Sequence, residues 1–225
     1  MGRKKTEHPS GSPKKANRGR KKPPTCNDAF EQEAASLFQI PVAGADEVGR
    51  GALVGPVVAA AVILGDGFDW AGLDDSKKLT AKKREELSER IRGSAAAWSI
   101  GMASVEEIDR YNIRGATHMA IRRAVEGLKI VPKLVLVDGI DEPLADIAQK
   151  AIIKGDALSV SIAAASILAK VHRDSMIEAL DVSCPGFGLK ENKGYGSAAH
   201  LDALRIHGPS PFHRKSFVER TGWLF

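Results

Sequence analysis

The chain has 225 residues, of which 43% are hydrophobic and 27% are charged, a length and composition typical of one large globular domain or at most two small ones. No run reaches the roughly 18 apolar residues that a transmembrane helix needs, and no apolar segment follows the charged N-terminus as it would in a secretory signal. We therefore expect a cytoplasmic protein that does not associate with membranes. Cys26 and Cys184 lack metal-ligand spacing and are predicted to be free thiols, with a single disulfide as the alternative.

The net charge of +5 is unevenly distributed along the chain. Residues 1–26 contain nine Lys or Arg and one acid, a net charge of +8, so that residues 27–225 carry a net charge of −3. Few large apolar side chains occur in residues 1–26, which predicts a disordered basic tail. Two interpretations of the tail stay open: a tether for polyanions that gains affinity by counterion release, or a dispensable solvated segment. Residues 27–225 are predicted to form the folded domain.

Apolar periodicity and capping residues predict the elements of this domain in chain order. Helices are predicted over residues 28–38, 81–92, 159–180 and 198–207, with a further helix that begins at Asn112. Strands are predicted over residues 41–47, 55–64, 97–103, 133–137 and 151–153. Residues 104–109 are predicted as a short turn and residues 186–196 as a loop. Three strands in succession, followed by helices that alternate with two short strands, predict an α/β sheet with a leading antiparallel meander.

Four acids stand at the predicted ends of strands. Asp46 and Glu47 end the first strand, Asp138 ends the fourth and Asp156 the fifth, and the carboxyl ends of strands form the usual site crevice of an α/β sheet. Carboxylates without His or Cys partners favour Mg²⁺ or Mn²⁺, whose typical chemistry here is phosphodiester hydrolysis with two ions about 4 Å apart. The alternative is a set of unrelated surface acids that cap helices or form turns.

Geometry constrains the first two acids. Neighbouring residues on a regular strand point to opposite faces, so Asp46 and Glu47 can converge only if the strand ends or bulges there. For Gly49-Arg50-Gly51, which follows shortly after these acids, two interpretations are open. Either its main-chain N–H groups bind a phosphate or a sugar hydroxyl, or the glycines only allow the chain to turn. Tyr195, between two glycines, either stacks on a nucleotide or is a half-buried loop side chain.

The remaining polar patterns predict no further site. The six histidines lack metal-ligand spacing, and His200 and His207 are predicted to be surface or polar-core residues. Lys170 and Asp174 are predicted to form an i,i+4 ion pair on the surface.

A series of motifs resembles a known family. In chain order these are GADEVGRGALVGPVVAAAVIL, DDSKKLT, EEIDRYNI, LVDG, KGDALSVSIAAASILAKVHRD, NKGYGSAAHLDAL and HGPSPFHRKSF. Together they resemble bacterial ribonuclease H type 2 from about residue 42 to residue 217. The resemblance implies a ribonuclease H-like fold, in which helices flank a mixed five-stranded sheet.

The same resemblance implies an activity and a set of site residues. The expected enzyme is a monomer that cleaves the RNA of RNA–DNA hybrids and cuts duplex DNA on the 5′ side of single ribonucleotides, leaving a 3′-hydroxyl. The family's metal-binding acids fall on Asp46, Glu47, Asp138 and Asp156. Its readers of the 2′-hydroxyl fall on Gly49, Arg50 and Gly51, and its stacking tyrosine falls on Tyr195. Reading a 2′-hydroxyl is what lets a protein distinguish RNA from DNA.

Two segments lie outside the family's motifs. The basic tail is one, and the other is the C-terminal Trp223-Leu224-Phe225, which is either a short peptide that binds a sliding clamp weakly or a packed C-terminus. A non-catalytic nucleic-acid binding module, using the tail and Tyr195, is the alternative function, although it leaves the four acids without a role.

Overall fold

The computed structural model describes residues 26–38 and 41–222. Nearly all of the predicted basic tail, and the C-terminal segment 223–225, lie outside these residues. The strands are β1 (Val42–Val48), β2 (Val57–Ile63), β3 (Ala97–Ala103), β4 (Leu134–Asp138) and β5 (Ala148–Ile152). The helices are α1 (Ala29–Phe38), α2 (Ala81–Ser94), α3 (Val105–Glu126), α4 (Val160–Ser183), α5 (Leu189–Asn192), α6 (Ala198–His207) and α7 (Lys215–Val218).

The five strands form one mixed sheet in the order β3-β2-β1-β4-β5. The pairs β1–β2 and β2–β3 are antiparallel, whereas β4 pairs in parallel with both β1 and β5. The sequence-based prediction of a mixed five-stranded sheet with a leading antiparallel meander is thereby confirmed. Because β1 and β4 are parallel neighbours, their carboxyl ends, where Asp46 and Asp138 stand, lie at the same edge.

Helices cover both faces of the sheet. Alternate residues of β2, a strand of Val, Ala and Ile, pack toward α3 on one face and toward α2 and α4 on the other. Two glycines permit close contact: a Cβ on Gly44 of β1 would overlap the main chain of α4, and a Cβ on Gly101 of β3 would overlap that of α3. The small side chains of the sequence therefore serve to bring helix backbones against the sheet.

Three predicted boundaries are corrected. The short turn over residues 104–109 is wrong: α3 begins at Val105, with Ser104 and Glu107 forming a reciprocal capping box. Asn112 does open a helical segment as predicted, because its backbone is non-helical (φ 60°, ψ 171°) and its side chain accepts from the next turn. In the predicted loop 186–196 a short helix, α5, occurs, and β5 begins earlier than predicted.

The structure also bears on the predictions about membrane association and about the two cysteines. Within residues 26–38 and 41–222, no helix has the length and apolar character needed to cross a bilayer. Cys26 and Cys184 are both free, so the disulfide alternative is wrong, and burial raises the pKa of the Cys26 thiol to about 12.

Candidate active site

Three carboxylates converge at the carboxyl edge of the sheet. Asp46 lies on β1, Asp138 ends β4, and Asp156 lies in a 3-10 turn, Gly155–Ala157, that follows β5. One oxygen of each carboxylate lies within 4.8 Å of the other two. The sheet register explains the meeting. Ala45 pairs with Val137, so that Asp46 and Asp138, the residues that follow them, lie on adjacent strands at the same level. Asp138 pairs with Ile152, four residues before Asp156.

Glu47 stands beside this triad but is not part of it. β1 neither ends nor bulges at Asp46, since Glu47 and Val48 continue the regular pairing with β2; that prediction is wrong. Pairing with β4 stops at Ala45, so the last residues of β1 pair only with β2 and extend beyond the paired part of β4. Glu47 lines the same cavity as Asp46 and accepts a hydrogen bond from Arg50 at 3.2 Å.

The triad carries strong electrostatic repulsion. Burial, and then the charges of Glu47 and Asp138, hold the pKa of Asp46 well above its ordinary value. The pKa of Asp138 is also raised, by burial and by Asp156. Buried carboxylates that repel one another are stabilised by a cation, and an all-oxygen set suits Mg²⁺ or Mn²⁺. The residues therefore fit the divalent ions predicted from the sequence.

Lys77 already places one positive charge at the triad. Its Nζ donates to Asp156 at 2.9 Å and lies 3.7 Å from Asp75. Although partial burial lowers the pKa of Lys77, the hydrogen bond to Asp156 raises it overall. Sequence reasoning assigned no role to this residue, even though the motif DDSKKLT was noted. The sequence gives no signal for this role, because Lys77 is placed by a short 3-10 turn, capped by Asp75, that only the structure shows.

Groups next to the carboxylates help to fix their positions. Asp138 accepts from the main-chain N–H of Gly155 at 2.6 Å, which ties β4 to the turn that carries Asp156. The hydroxyl of Ser166, on α4, lies 2.9 Å from the hydroxyl of Ser76, and Ser166 partly offsets the rise in the pKa of Asp46 that burial and the neighbouring carboxylates cause. Sequence reasoning noted Ser166 only as a small residue, because nothing in the spacing shows that α4 faces Asp46.

A cavity of about 390 Å³ opens in front of the triad. It is lined by acids, basic side chains, hydroxyls and the glycine loop: Asp46, Glu47, Val48, Gly49, Arg50, Gly51, Ser76, Lys77, Asp138, Ser166, Lys170 and Tyr195. Seven of the eight predicted site residues thus share one cavity. The eighth, Asp156, borders it through its hydrogen bond with Lys77.

The glycine loop and the tyrosine face each other across this cavity. Gly49 has φ +91°, a backbone conformation that L side chains rarely adopt. A Cβ on Gly51 would lie 3.9 Å from the ring of Tyr195, so the loop and the ring are neighbours. Gly194 has φ +81° and Tyr195 is 39% exposed. The ring is therefore available to a ligand that also touches the loop.

The predicted ion pair of Lys170 with Asp174 forms at 2.8 Å. It is not on the surface as predicted, because the two side chains are only 20% and 15% exposed and Lys170 lines the cavity. Ser166, one turn earlier on α4, lines the same cavity, so this face of the helix borders the site, which periodicity alone does not specify.

Two histidines support the tyrosine segment from within. His213 Nδ1 accepts from the N–H of Ser210 at 3.0 Å, so the proton of the neutral ring lies on Nε2, which faces His200 Nε2 at 3.1 Å. His200 Nδ1 then donates to the carbonyl of Tyr195 at 2.8 Å. Both rings are buried; His200 is a polar-core residue as predicted, but its pairing with His213 was not foreseen.

Comparison with known proteins identifies the family. The family model described as Ribonuclease HII matches residues 43–221. The chain is 56% identical over 188 residues to the Ribonuclease HII of Albidiferax ferrireducens, covering 83% of this chain and 91% of that protein.

Solved structures agree. The crystal structure of the ribonuclease H2 from Pyrococcus horikoshii OT3 superposes with a TM-score of 0.67 and 28% identity, over 81% of this chain and 99% of that one. The RNase HII in the PCNA:RNase HII complex from Archaeoglobus fulgidus also gives a TM-score of 0.67 and 28% identity, over 78% of this chain and 94% of that one. The chain therefore belongs to the ribonuclease HII family, and is a divalent-metal-dependent endoribonuclease with ribonuclease H activity on RNA–DNA hybrids.

Proposed function

We propose that the chain, beyond cutting the RNA strand of RNA–DNA hybrids, cuts duplex DNA on the 5′ side of a single embedded ribonucleotide and leaves a 3′-hydroxyl by two-metal-ion hydrolysis. One observation carries the proposal: the acid triad, the Gly49–Gly51 loop and Tyr195 border one cavity. A bond-cutting centre and a candidate ribose reader are thus adjacent. A nucleotide bound in this cavity would contact both.

Asp46, Asp138 and Asp156, with Glu47 at the side, would hold the ions. A pair of divalent ions there would supply an activated water and offset the charge that develops on the leaving 3′ oxygen. The protein's own contribution is to place four carboxylates from three strand ends at one edge, and to orient Asp138 through the main-chain N–H of Gly155.

The glycine loop supplies ribose recognition in this proposal. Gly49, Arg50 and Gly51 all line the cavity, so their main-chain groups are close to any ligand bound there. A 2′-hydroxyl both donates and accepts hydrogen bonds, so it can pair with main-chain N–H and C=O groups where deoxyribose cannot. Tyr195, in contact distance of the loop, would stack on the sugar next to the ribonucleotide.

Two lysines at the cavity supply positive charge for the phosphate backbone. Lys77 and Lys170 both line the cavity, and each is held there by an aspartate, Asp156 and Asp174 respectively. Cationic side chains at the groove of a nuclease provide sequence-independent affinity. The alternative of a non-catalytic binding module is excluded by the family, and it would leave three converging carboxylates to repel phosphate.

Cleavage of matched duplexes tests the proposal. With Mg²⁺ or Mn²⁺, a duplex with one ribonucleotide should be cut on its 5′ side, the product should be extendable by a polymerase, and an all-DNA duplex should stay intact. Asp138→Asn should lower the rate by about a hundredfold or more. The matched control is Asp141→Asn, because Asp141 pairs with Arg114 at 2.7 Å outside the cavity; it should stay within about threefold of wild type. Cutting of long hybrids alone would refute the single-ribonucleotide activity.

Three further expectations stay predictions. The Archaeoglobus relative was solved with PCNA, and we propose a weak clamp contact through residues 223–225, which lie outside the described residues. The basic tail, also outside them, is proposed to tether nucleic acid. A cytoplasmic monomer remains the expected state.

A further inference from the structure

Two arginines are completely buried next to the candidate site. Arg173, on α4, and Arg214, just before α7, each have 0% exposure. Within the described part of the chain neither forms an ion pair with a carboxylate. Burying an unpaired guanidinium is costly, so these residues must satisfy their donors in another way.

Arg173 donates only to main-chain carbonyls. Its three nitrogens reach Pro56 at 3.3 Å, Lys193 at 2.9 Å and Val54 at 3.1 Å. The carbonyl of Lys193 lies two residues before Tyr195, whereas Val54 and Pro56 continue the chain from the Gly49–Gly51 loop. One guanidinium thus bridges the segments that carry both elements of the proposed ribose reader.

The same guanidinium touches both reading elements directly. A Cβ on Gly49 would overlap the Arg173 side chain, so this glycine lies directly on it. The guanidinium carbon of Arg173 lies 5.6 Å from the centre of the Tyr195 ring, within the range of a cation–π contact. The loop and the ring therefore rest on one rigid planar group.

Arg214 holds the loop from the other side. Its Nε donates to Gly55 at 2.9 Å, and its Nη1 donates to the carbonyl of Arg50, at the centre of the glycine loop, at 2.9 Å. Its Nη2 is buried without a hydrogen-bond partner among the described residues. Leaving this donor unsatisfied costs free energy, which the two bonds to the main chain of the loop segment partly offset.

We propose that Arg173 and Arg214 are positioning residues that fix the Gly49–Gly51 loop and Tyr195 relative to each other, so that both contact one ribonucleotide. The inference rests on the proposed function. Arginine is required because its flat fork donates in fixed directions to several carbonyls, whereas a lysine ammonium is a compact point charge. Neither side chain touches the substrate; each acts through the backbone and the ring that do.

A double-mutant cycle tests the proposal. Arg173→Gln and Tyr195→Ala should each lower kcat/KM on the single-ribonucleotide duplex by about tenfold or more. The double variant should be no worse than Tyr195→Ala by more than about threefold, because Arg173 acts by aligning the glycine loop with the Tyr195 ring, and that alignment no longer matters once the ring is absent. Arg173→Lys should fail to rescue, since it keeps the charge and loses the fork. Arg214→Lys should weaken cutting of single ribonucleotides and long hybrids alike, because the glycine loop contacts both substrates.

Controls separate positioning from folding. Mn²⁺ binding, measured by calorimetry, should be unchanged in all variants that unfold cooperatively. The matched control is Arg92→Gln, because Arg92 also stacks on an aromatic ring, Trp98 at 4.4 Å, but lies outside the cavity; it should cut at the wild-type rate.

Three outcomes would overturn the proposal. These are additive losses in the cycle, full rescue by lysine, or failure of every Arg173 variant to fold, which would assign the guanidinium to stability alone. Absence of cutting by the wild-type chain would instead overturn the proposed function.

Discussion

Gly44→Ala provides a severe test of how the fold places the site. Gly44 lies on β1 two residues before Asp46, and an added Cβ would lie 2.2 Å from the carbonyl carbon of Ser161 and 2.3 Å from the nitrogen of Ile162. Both atoms belong to the main chain at the start of α4, so no side-chain rotation can relieve the overlap. Helix α4 must move away from the sheet, and it carries Ser166 and Lys170, which line the cavity in front of the triad.

The expected loss can be estimated. Overpacking a core costs about 1–3 kcal/mol, and because backbone must shift here we expect about 3 kcal/mol, a large share of the roughly 5–15 kcal/mol that stabilises a domain. With a urea m-value of about 2 kcal/mol/M, the unfolding midpoint should fall by about 1.5 M.

Urea denaturation followed by circular dichroism measures this shift. The matched control is Gly93→Ala, because Gly93 is an exposed residue of α2 with no atom within 4 Å of the added Cβ. That variant should gain up to about 0.5 kcal/mol from the helix preference of alanine. A Gly44→Ala midpoint within about 0.3 M of wild type would refute the close packing of α4 on β1.

Two other predictions concern pH and the acid triad. Burial, and then His200, lowers the pKa of His213 to about 4, below its unfolded value of about 6.5. The stability that His213 contributes is therefore fully present above pH 6.5, and up to about 3 kcal/mol of it is lost as pH falls toward 4. His213→Gln should reduce this loss of unfolding free energy between pH 6.5 and 4, measured by urea denaturation at a series of pH values. An unchanged pH dependence would contradict the prediction. Without metal, Asp46→Asn should increase the free energy of unfolding by roughly 1 kcal/mol or more, and therefore raise the unfolding temperature. The reason is that the substitution removes a buried charge that Glu47 and Asp138 repel. The same variant should lose most of the stabilisation that Mn²⁺ gives wild type, and a lower metal-free melting temperature would argue against repulsion in the triad.

The α/β sheet with its leading antiparallel meander, and the positions of the acids at strand ends, could be predicted from the sequence. Continuous runs of Val, Ala and Ile indicated buried strands, and acids at their ends indicated a shared edge, which the parallel pairing of β1 with β4 provides. The family resemblance added the roles of the glycine loop and Tyr195, which composition and spacing left open. Those roles are proposals that now rest on a common cavity.

Residues that act across long sequence separations could not be predicted. Lys77 meets Asp156 across 79 positions, and Arg214 meets the Arg50 carbonyl across 164. Local patterns contain no trace of such contacts, because they depend on how loops fold back over the sheet edge. The regular continuation of β1 through Glu47 was missed for a related reason: the strand extends past β4, a feature that only the register reveals.

The most direct test of the central claim is the position of Mn²⁺, located by its anomalous scattering in crystals of the full chain. The triad predicts a peak bounded by the carboxylates of Asp46, Asp138 and Asp156, with ligand oxygens at about 2.1 Å and with Lys77 Nζ displaced from Asp156. A peak elsewhere, or an intact Lys77–Asp156 pair with no ion beside it, would contradict the account.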